Sequence, residues 1–107
     1  MFRGEVWWVN FDPSLGGEIR KTRPALIVSN DISNKFLNRV QVIPLTSQIK
    51  KCYPSEAYVM VNGKKAKAMA DQIMTVSKLR LINKEGSAGS KDLNAVNRAI
   101  QLQLGLK

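Results

Sequence analysis

Residues 23–30 read Arg-Pro-Ala-Leu-Ile-Val-Ser-Asn, and this octapeptide sets the class of fold. Pro24 stands at the start of the run, where a missing backbone N–H is tolerated in a strand. The four residues behind it, Ala25 to Val28, are all apolar, which predicts a strand buried on both faces. Upstream, residues 4–11 (GEVWWVNF) are dense in β-branched and aromatic side chains and predict a first strand. Between the two lies turn chemistry, Asp12-Pro13-Ser14-Leu15-Gly16-Gly17, so residues 12–22 are expected to form a long loop. Loops of that length in a small domain tend to carry function.

Downstream, residues 31–38 have room for one helical turn. Residues 40–47 (VQVIPLTS) predict a third strand, with Pro44 marking a bulge or an edge position. Tyr58 and Met60 alternate against Val59 and Val61 in a fourth strand over residues 56–62. Asn62-Gly63 is a strong hairpin signal, and residues 64–76 return as a fifth strand. Residues 78–81 suit a short helical turn, and residues 86–90 (GSAGS) a flexible connector. A helix over about 91–105 follows: Ser90 or Asp92 can cap it, Leu93, Val96, Ile100 and Leu104 make one apolar stripe, and Gly105 stops it. The expectation is mainly β with a C-terminal helix, an α+β chain forming one domain over residues 1–107. The barrel occupies about 1–85.

The chain has 107 residues, 17 Lys plus Arg against 8 Asp plus Glu, and hence a formal net charge of +9. That imbalance favours polyanionic partners. The cations come in clusters: Arg20-Lys21-Thr22-Arg23, Lys50-Lys51, Lys64-Lys65-Ala66-Lys67 and Lys78-Leu79-Arg80. There is no His and a single Cys, Cys52. Imidazole-based triads, internal disulfides and Cys-rich metal sites are thereby excluded. No apolar run reaches the roughly 18–20 residues of a transmembrane helix, and a reducing cytoplasm is the expected compartment.

The ordered set of segments resembles the MazF/PemK/Kid family of bacterial toxins. The pieces that carry the resemblance are Arg3-Gly4-Glu5-Val6-Trp7, Phe11-Asp12-Pro13, Gly16-x-Glu18 and Arg23-Pro24-Ala25-Leu26-Ile27-Val28. They continue with Val42-Ile43-Pro44-Leu45-Thr46-Ser47 and Ala70-Asp71-Gln72. The resemblance implies an SH3-like small β-barrel of the PemK/CcdB type. It also implies a homodimer that cuts single-stranded RNA, often mRNA, at short sequences without a metal or other cofactor. The implied products are a 2′,3′-cyclic phosphate and a 5′-hydroxyl, and the implied partner is a small acidic antitoxin. Two alternatives stand beside it: a gyrase poison on the same fold, and a barrel that binds nucleic acid without cutting it.

Cleavage by the RNA's own 2′-hydroxyl needs charge stabilisation on phosphorus and management of two protons. A guanidinium forks two hydrogen bonds onto phosphate oxygens and stays charged, which suits Arg23. The resemblance pairs Arg23 with Thr46 as catalytic residues. Some relatives carry an Arg two positions before the residue matching Asp71; here Met69 stands there and cannot donate a proton. Glu18, Arg20, Lys21, Ser47, Gln48, Asp71 and Gln72 complete the expected RNA contacts. Glu18 and the two Gln side chains offer groups to base edges, and Arg20 and Lys21 offer charge to phosphates. Of Trp7 and Trp8, adjacent on a strand, one is expected in the core and the other at a dimer contact or the RNA groove.

Overall fold

The computed structural model describes residues 1–13, 15–18 and 21–107. One expected RNA contact, Arg20, falls outside them. Among the described residues, seven strands and two helices follow in the order β1 (Glu5–Asn10), β2 (Thr22–Ile27), α1 (Asp31–Phe36), β3 (Arg39–Thr46), β4 (Glu56–Val61), β5 (Lys64–Met69), β6 (Met74–Ser77), β7 (Leu81–Ser87) and α2 (Ser90–Gln103). Short 3-10 turns at Ala70–Gln72 and Lys78–Arg80 join β5 to β6 and β6 to β7. All pairings are antiparallel, and the sheet runs β4-β5-β3-β2-β1-β7, with β6 also on β3.

The sheet curls into a half-barrel because β2 and β3 are apolar on both faces. Leu26, Val28, Ile43 and Leu45 turn to one side and join Val6, Val59, Ala68, Val96 and Ala99. Ala25, Ile27, Val40 and Val42 turn to the other, with Val9, Phe11, Val76 and Leu81. Alternation along each strand thus feeds two core layers. A fully buried Leu or Ile in either layer contributes roughly 1.5–3 kcal/mol of transfer free energy. Helix α2 closes the first layer, with Leu93 and Ile100 packed behind Val96 and Ala99. The two ends of the sheet meet where the Asn62 side-chain amide donates to the Glu85 carbonyl at 2.8 Å. Gly86 permits that approach: a Cβ there would lie 3.0 Å from Asn62 Oδ1 and 3.2 Å from Val61 Cγ1.

The expected fifth strand is interrupted. β3 pairs Leu45 and Thr46 with Ala68 and Lys67 of β5, then pairs Val42 with Met74 of β6. The Ala70–Gln72 turn is accommodated between them, opposite Ile43 and Pro44. Pro44, in register with Ala25 on one side, faces the gap between the β5 and β6 ladders on the other, and β3 is a central strand rather than an edge. A further strand, β7, runs over Leu81–Ser87 and takes in Gly86 and Ser87, the first two residues of the expected connector. It is an edge strand with mostly exposed, polar residues, so it lacks the apolar alternation that betrays a strand.

Helix α2 departs from expectation in its N-cap and in one residue of its apolar stripe. Its N-cap is Gly89 rather than Ser90 or Asp92. The Asp92 carboxylate instead accepts the Met60 N–H at 2.8 Å, tying α2 to β4. Leu104 is 52 % exposed and lies outside the core. The stop is as expected: Gly105 adopts φ +68°, with its N–H on the Leu102 carbonyl and the Leu106 N–H on the Gln101 carbonyl. These two bonds satisfy helix-end carbonyls in the Schellman pattern. Neither Trp is fully buried. Trp7 packs against the second core layer, and Trp8 is half-buried on the opposite face of β1.

Candidate functional site

The β2–β3 ladder runs Ile27–Val42, Leu26–Ile43 and Ala25–Pro44, and stops there. Pro24, the next residue, has no N–H with which to extend it. Carried two residues onward, the same register sets Arg23 across from Thr46, at the open end of the sheet. Both are half-buried. On its other edge Arg23 is paired with Val9, and Thr46 with Lys67, so each backbone is held by a neighbouring strand. The Gln48 N–H donates to Thr46 Oγ1 at 3.2 Å. That bond uses a lone pair and leaves the threonine hydroxyl proton available to donate elsewhere.

The segment that follows Thr46 is tethered along its length. Tyr58 of β4 donates its hydroxyl to the Ile49 carbonyl at 2.7 Å. Lys67 of β5, only 8 % exposed, donates to the Lys51 carbonyl at 2.9 Å and pairs with Glu56 at 3.2 Å. The Tyr53 N–H donates to Glu56 Oε1 at 2.9 Å. Lys65 lies 4.2 Å from the centre of the Tyr58 ring, in the range of a cation–π contact. Ser47, Gln48, Lys50 and Lys51 line an open cleft of about 620 Å³ on this side. Ser47 and Gln48 are exposed there.

The segment that precedes Arg23 is tethered at its base. The Phe11 N–H reaches the Lys21 carbonyl at 2.9 Å, and the Lys21 N–H reaches Asp12 Oδ1 at 2.9 Å. Lys21 holds φ +64° at this closure. Arg80 donates to the carbonyls of Asn10 at 3.0 Å and Asp12 at 2.5 Å. Further out, Glu18 accepts the Leu15 N–H at 2.7 Å and is exposed. Gln72 reaches the Gly17 carbonyl at 3.4 Å, which links the β5–β6 turn to this loop. Asp71, on the same turn, is exposed.

Thr46, Ser47 and Gln48 are thus contiguous, Gln72 touches the loop that carries Glu18, and Arg23 faces the strand that ends in Thr46. Arg80, Tyr58, Lys67 and Glu56 escaped the sequence reading. Arg80, Tyr58 and Lys67 each act on the backbone of another segment, with Glu56 paired to Lys67, and no local pattern signals that. Elsewhere, Glu5 shows a strong electrostatic shift. Burial opposes its ionisation, but hydrogen bonds from the Trp7 indole and the Phe2 N–H, with Lys84 at 3.1 Å, hold its carboxyl down from 4.5 to about 2.

Comparison with known proteins agrees with this architecture. A family profile described as PemK-like, MazF-like toxin of type II toxin-antitoxin system matches residues 2–104. Endoribonuclease MazF9 of Mycobacterium tuberculosis is 35 % identical over 99 % of this chain and 98 % of its own length. Endoribonuclease EndoA of Bacillus subtilis is 30 % identical over 97 % of this chain and 94 % of its own. The crystal structure of MazF from Deinococcus radiodurans superposes with a TM-score of 0.87 at 28 % identity, covering 99 % of this chain and 97 % of that one. A mycobacterial endoribonuclease in complex with its cognate antitoxin superposes with a TM-score of 0.83 at 26 % identity, covering 100 % and 97 %. With the profile spanning nearly the whole chain and the half-barrel matching in three dimensions, this chain belongs to the PemK-like, MazF-like toxin family of type II toxin–antitoxin systems.

Proposed function

We propose that this chain is an endoribonuclease toxin that cuts single-stranded RNA at short sequences, through attack of a 2′-hydroxyl on the adjacent phosphate. The bond between phosphorus and the 5′-oxygen breaks, leaving a 2′,3′-cyclic phosphate and a 5′-hydroxyl. What supports the reading is the register of β2 and β3: carried two residues past its last pair, Ala25–Pro44, it sets Arg23 across from Thr46. Family membership and the endoribonuclease relatives support the activity class.

In this reading Arg23 forks onto the non-bridging phosphate oxygens and takes up the charge that grows on them. Thr46 donates its hydroxyl to one of the same oxygens, its orientation set by the Gln48 N–H. Ser47, Gln48, Asp71 and Gln72 line the strand's path. Glu18, Arg20 and Lys21 meet it from the loop before β2. Catalysis then rests mainly on electrostatic stabilisation of the crowded phosphorus, a term worth 10²–10³ in rate for a single well-placed donor. The same basic surface suits a small acidic antitoxin. The active form is a homodimer, working in the bacterial cytoplasm.

The test is incubation of purified protein with a long single-stranded RNA in EDTA, followed by mapping of the fragment 5′ ends. Discrete cuts with 5′-hydroxyl termini are expected. Intact RNA with a retarded band contradicts the reading and favours a binding module, and inhibition of supercoiling favours a gyrase poison.

A further inference from the structure

A second feature of the open end is a cavity of about 180 Å³, walled by Trp8, Pro24, Leu45, Val61 and Ala66. Thr46 and Ser47 stand on its rim together with Lys64, Lys65 and Glu85. The geometry points to a nucleobase subsite: we propose that this cavity takes one pyrimidine of the RNA strand, beside the scissile phosphate. The proposal rests on the RNA-cleaving reading above, and deepens it.

Three observations carry it. The first is size and chemistry. An apolar protein cavity of roughly 150 Å³ holds one benzene ring. A cavity slightly larger, with apolar walls and a polar rim, suits a single six-membered base with exocyclic groups turned outward. The second is rigidity. The Trp8 indole N–H donates to the Glu85 carboxylate at 2.7 Å. Asn62 then bonds the Glu85 carbonyl at 2.8 Å. The stacking wall is thereby held before any ligand arrives, which lowers the ordering cost of binding. The third is position. The rim shares Thr46 with the proposed cleavage site and carries Lys64 and Lys65, so a base inside it has its own phosphates near both positive charge and Thr46. Aromatic stacking with cations along the backbone is the common means of holding single-stranded nucleic acid.

Two tests separate this proposal from the nuclease reading. In the first, Trp7→Phe leaves Trp8 as the one indole of a chain with two. Titrating that protein with oligodeoxyuridylate, which lacks the attacking hydroxyl, is expected to quench Trp8 emission, at least tenfold more tightly than oligodeoxyadenylate. Unchanged emission with both oligomers overturns the proposal. If an acidic peptide with apolar side chains then shifts the emission, the cavity belongs to a protein partner, which also overturns it. In the second, cut sites are mapped for Trp8→Ala and for Ala66→Leu, which fills the cavity. Both are expected to lose a pyrimidine preference at one position flanking the cut, with cleavage falling roughly tenfold to a hundredfold. Trp8→Phe keeps a stacking face and is expected to retain the preference, which guards against simple misfolding. Unaltered sites and rates in Ala66→Leu and Trp8→Ala overturn the subsite while leaving the nuclease reading intact. A wild-type protein that cuts no RNA refutes that reading, and the fluorescence titration still decides the cavity.

Discussion

Two loops flank the open end, and they are built differently. The loop after Thr46 is bonded at Ile49, Lys51 and Tyr53 to side chains of the β4–β5 hairpin. The loop before Arg23 is bonded at its base, through Asp12, Lys21 and Arg80, while its outer described residues make only local or long contacts. The first loop is preset by the scaffold; the second is held at its base, with fewer bonds to the scaffold among its outer described residues. A donor that must meet a transition state gains from fixed geometry. A surface that must follow different base sequences gains from freedom. On the proposed function, the contrast predicts that Thr46 governs rate and that the Glu18 loop, together with the Trp8 cavity, governs sequence choice.

The largest effect is expected at Arg23→Ala, which should lower the single-turnover cleavage rate at least about 10³-fold with the circular-dichroism spectrum unchanged. Thr46→Ala should follow with a loss of 10²–10³ in kcat and little change in KM. A loss seen mainly in KM instead makes Thr46 a binding group.

Lys67→Met removes the tether on Lys51 and strands Glu56 without its partner. It should cost about tenfold in kcat and lower the melting temperature, since breaking a mostly buried pair is strongly destabilising. The double change Glu56→Gln with Lys67→Met should recover much of the stability but not the rate. Recovery of both would show that the pair acts only on folding. Tyr58→Phe deletes one hydroxyl and keeps the ring over which Lys65 sits. A loss of about 1 kcal/mol in stability and a few-fold loss in kcat are expected, from urea titration and initial rates.

The smallest effect on cleavage is expected at Glu5→Gln, outside both loops, where the readout is acid stability. The Glu5 carboxyl is held from 4.5 down to about 2, so its contribution is complete above pH 4.5 and lost as pH falls through about 2. The stability gap between wild type and Glu5→Gln should therefore narrow across that window. A gap that stays constant contradicts the shift.

How much of this was legible beforehand depended on range. The apolar run from Ala25 to Val28 and the alternation in β4 exposed a two-faced β core, and the Leu93, Val96, Ile100 spacing exposed α2. Strand β7 was not legible, because Asn83, Lys84 and Glu85 are exposed on an edge where no apolar pattern is needed. The break between β5 and β6 was hidden because it answers Pro44 on another strand. Within the candidate site, Arg23 and Thr46 are nominated by segments that resemble a family. Tyr58, Lys67 and Arg80 are not, because each bonds a backbone carbonyl far along the chain, and such contacts leave no local periodicity.

On the proposed function, Arg23 and Thr46 act as one unit on a single phosphate. Groups that act as a unit give grossly non-additive losses. The most direct measurement is the single-turnover cleavage rate of the Arg23→Ala, Thr46→Ala double variant beside both single variants. The double variant should be no more than about threefold slower than Arg23→Ala alone. Losses that multiply in the double variant, or a Thr46→Ala protein that cuts at the wild-type rate, would contradict it.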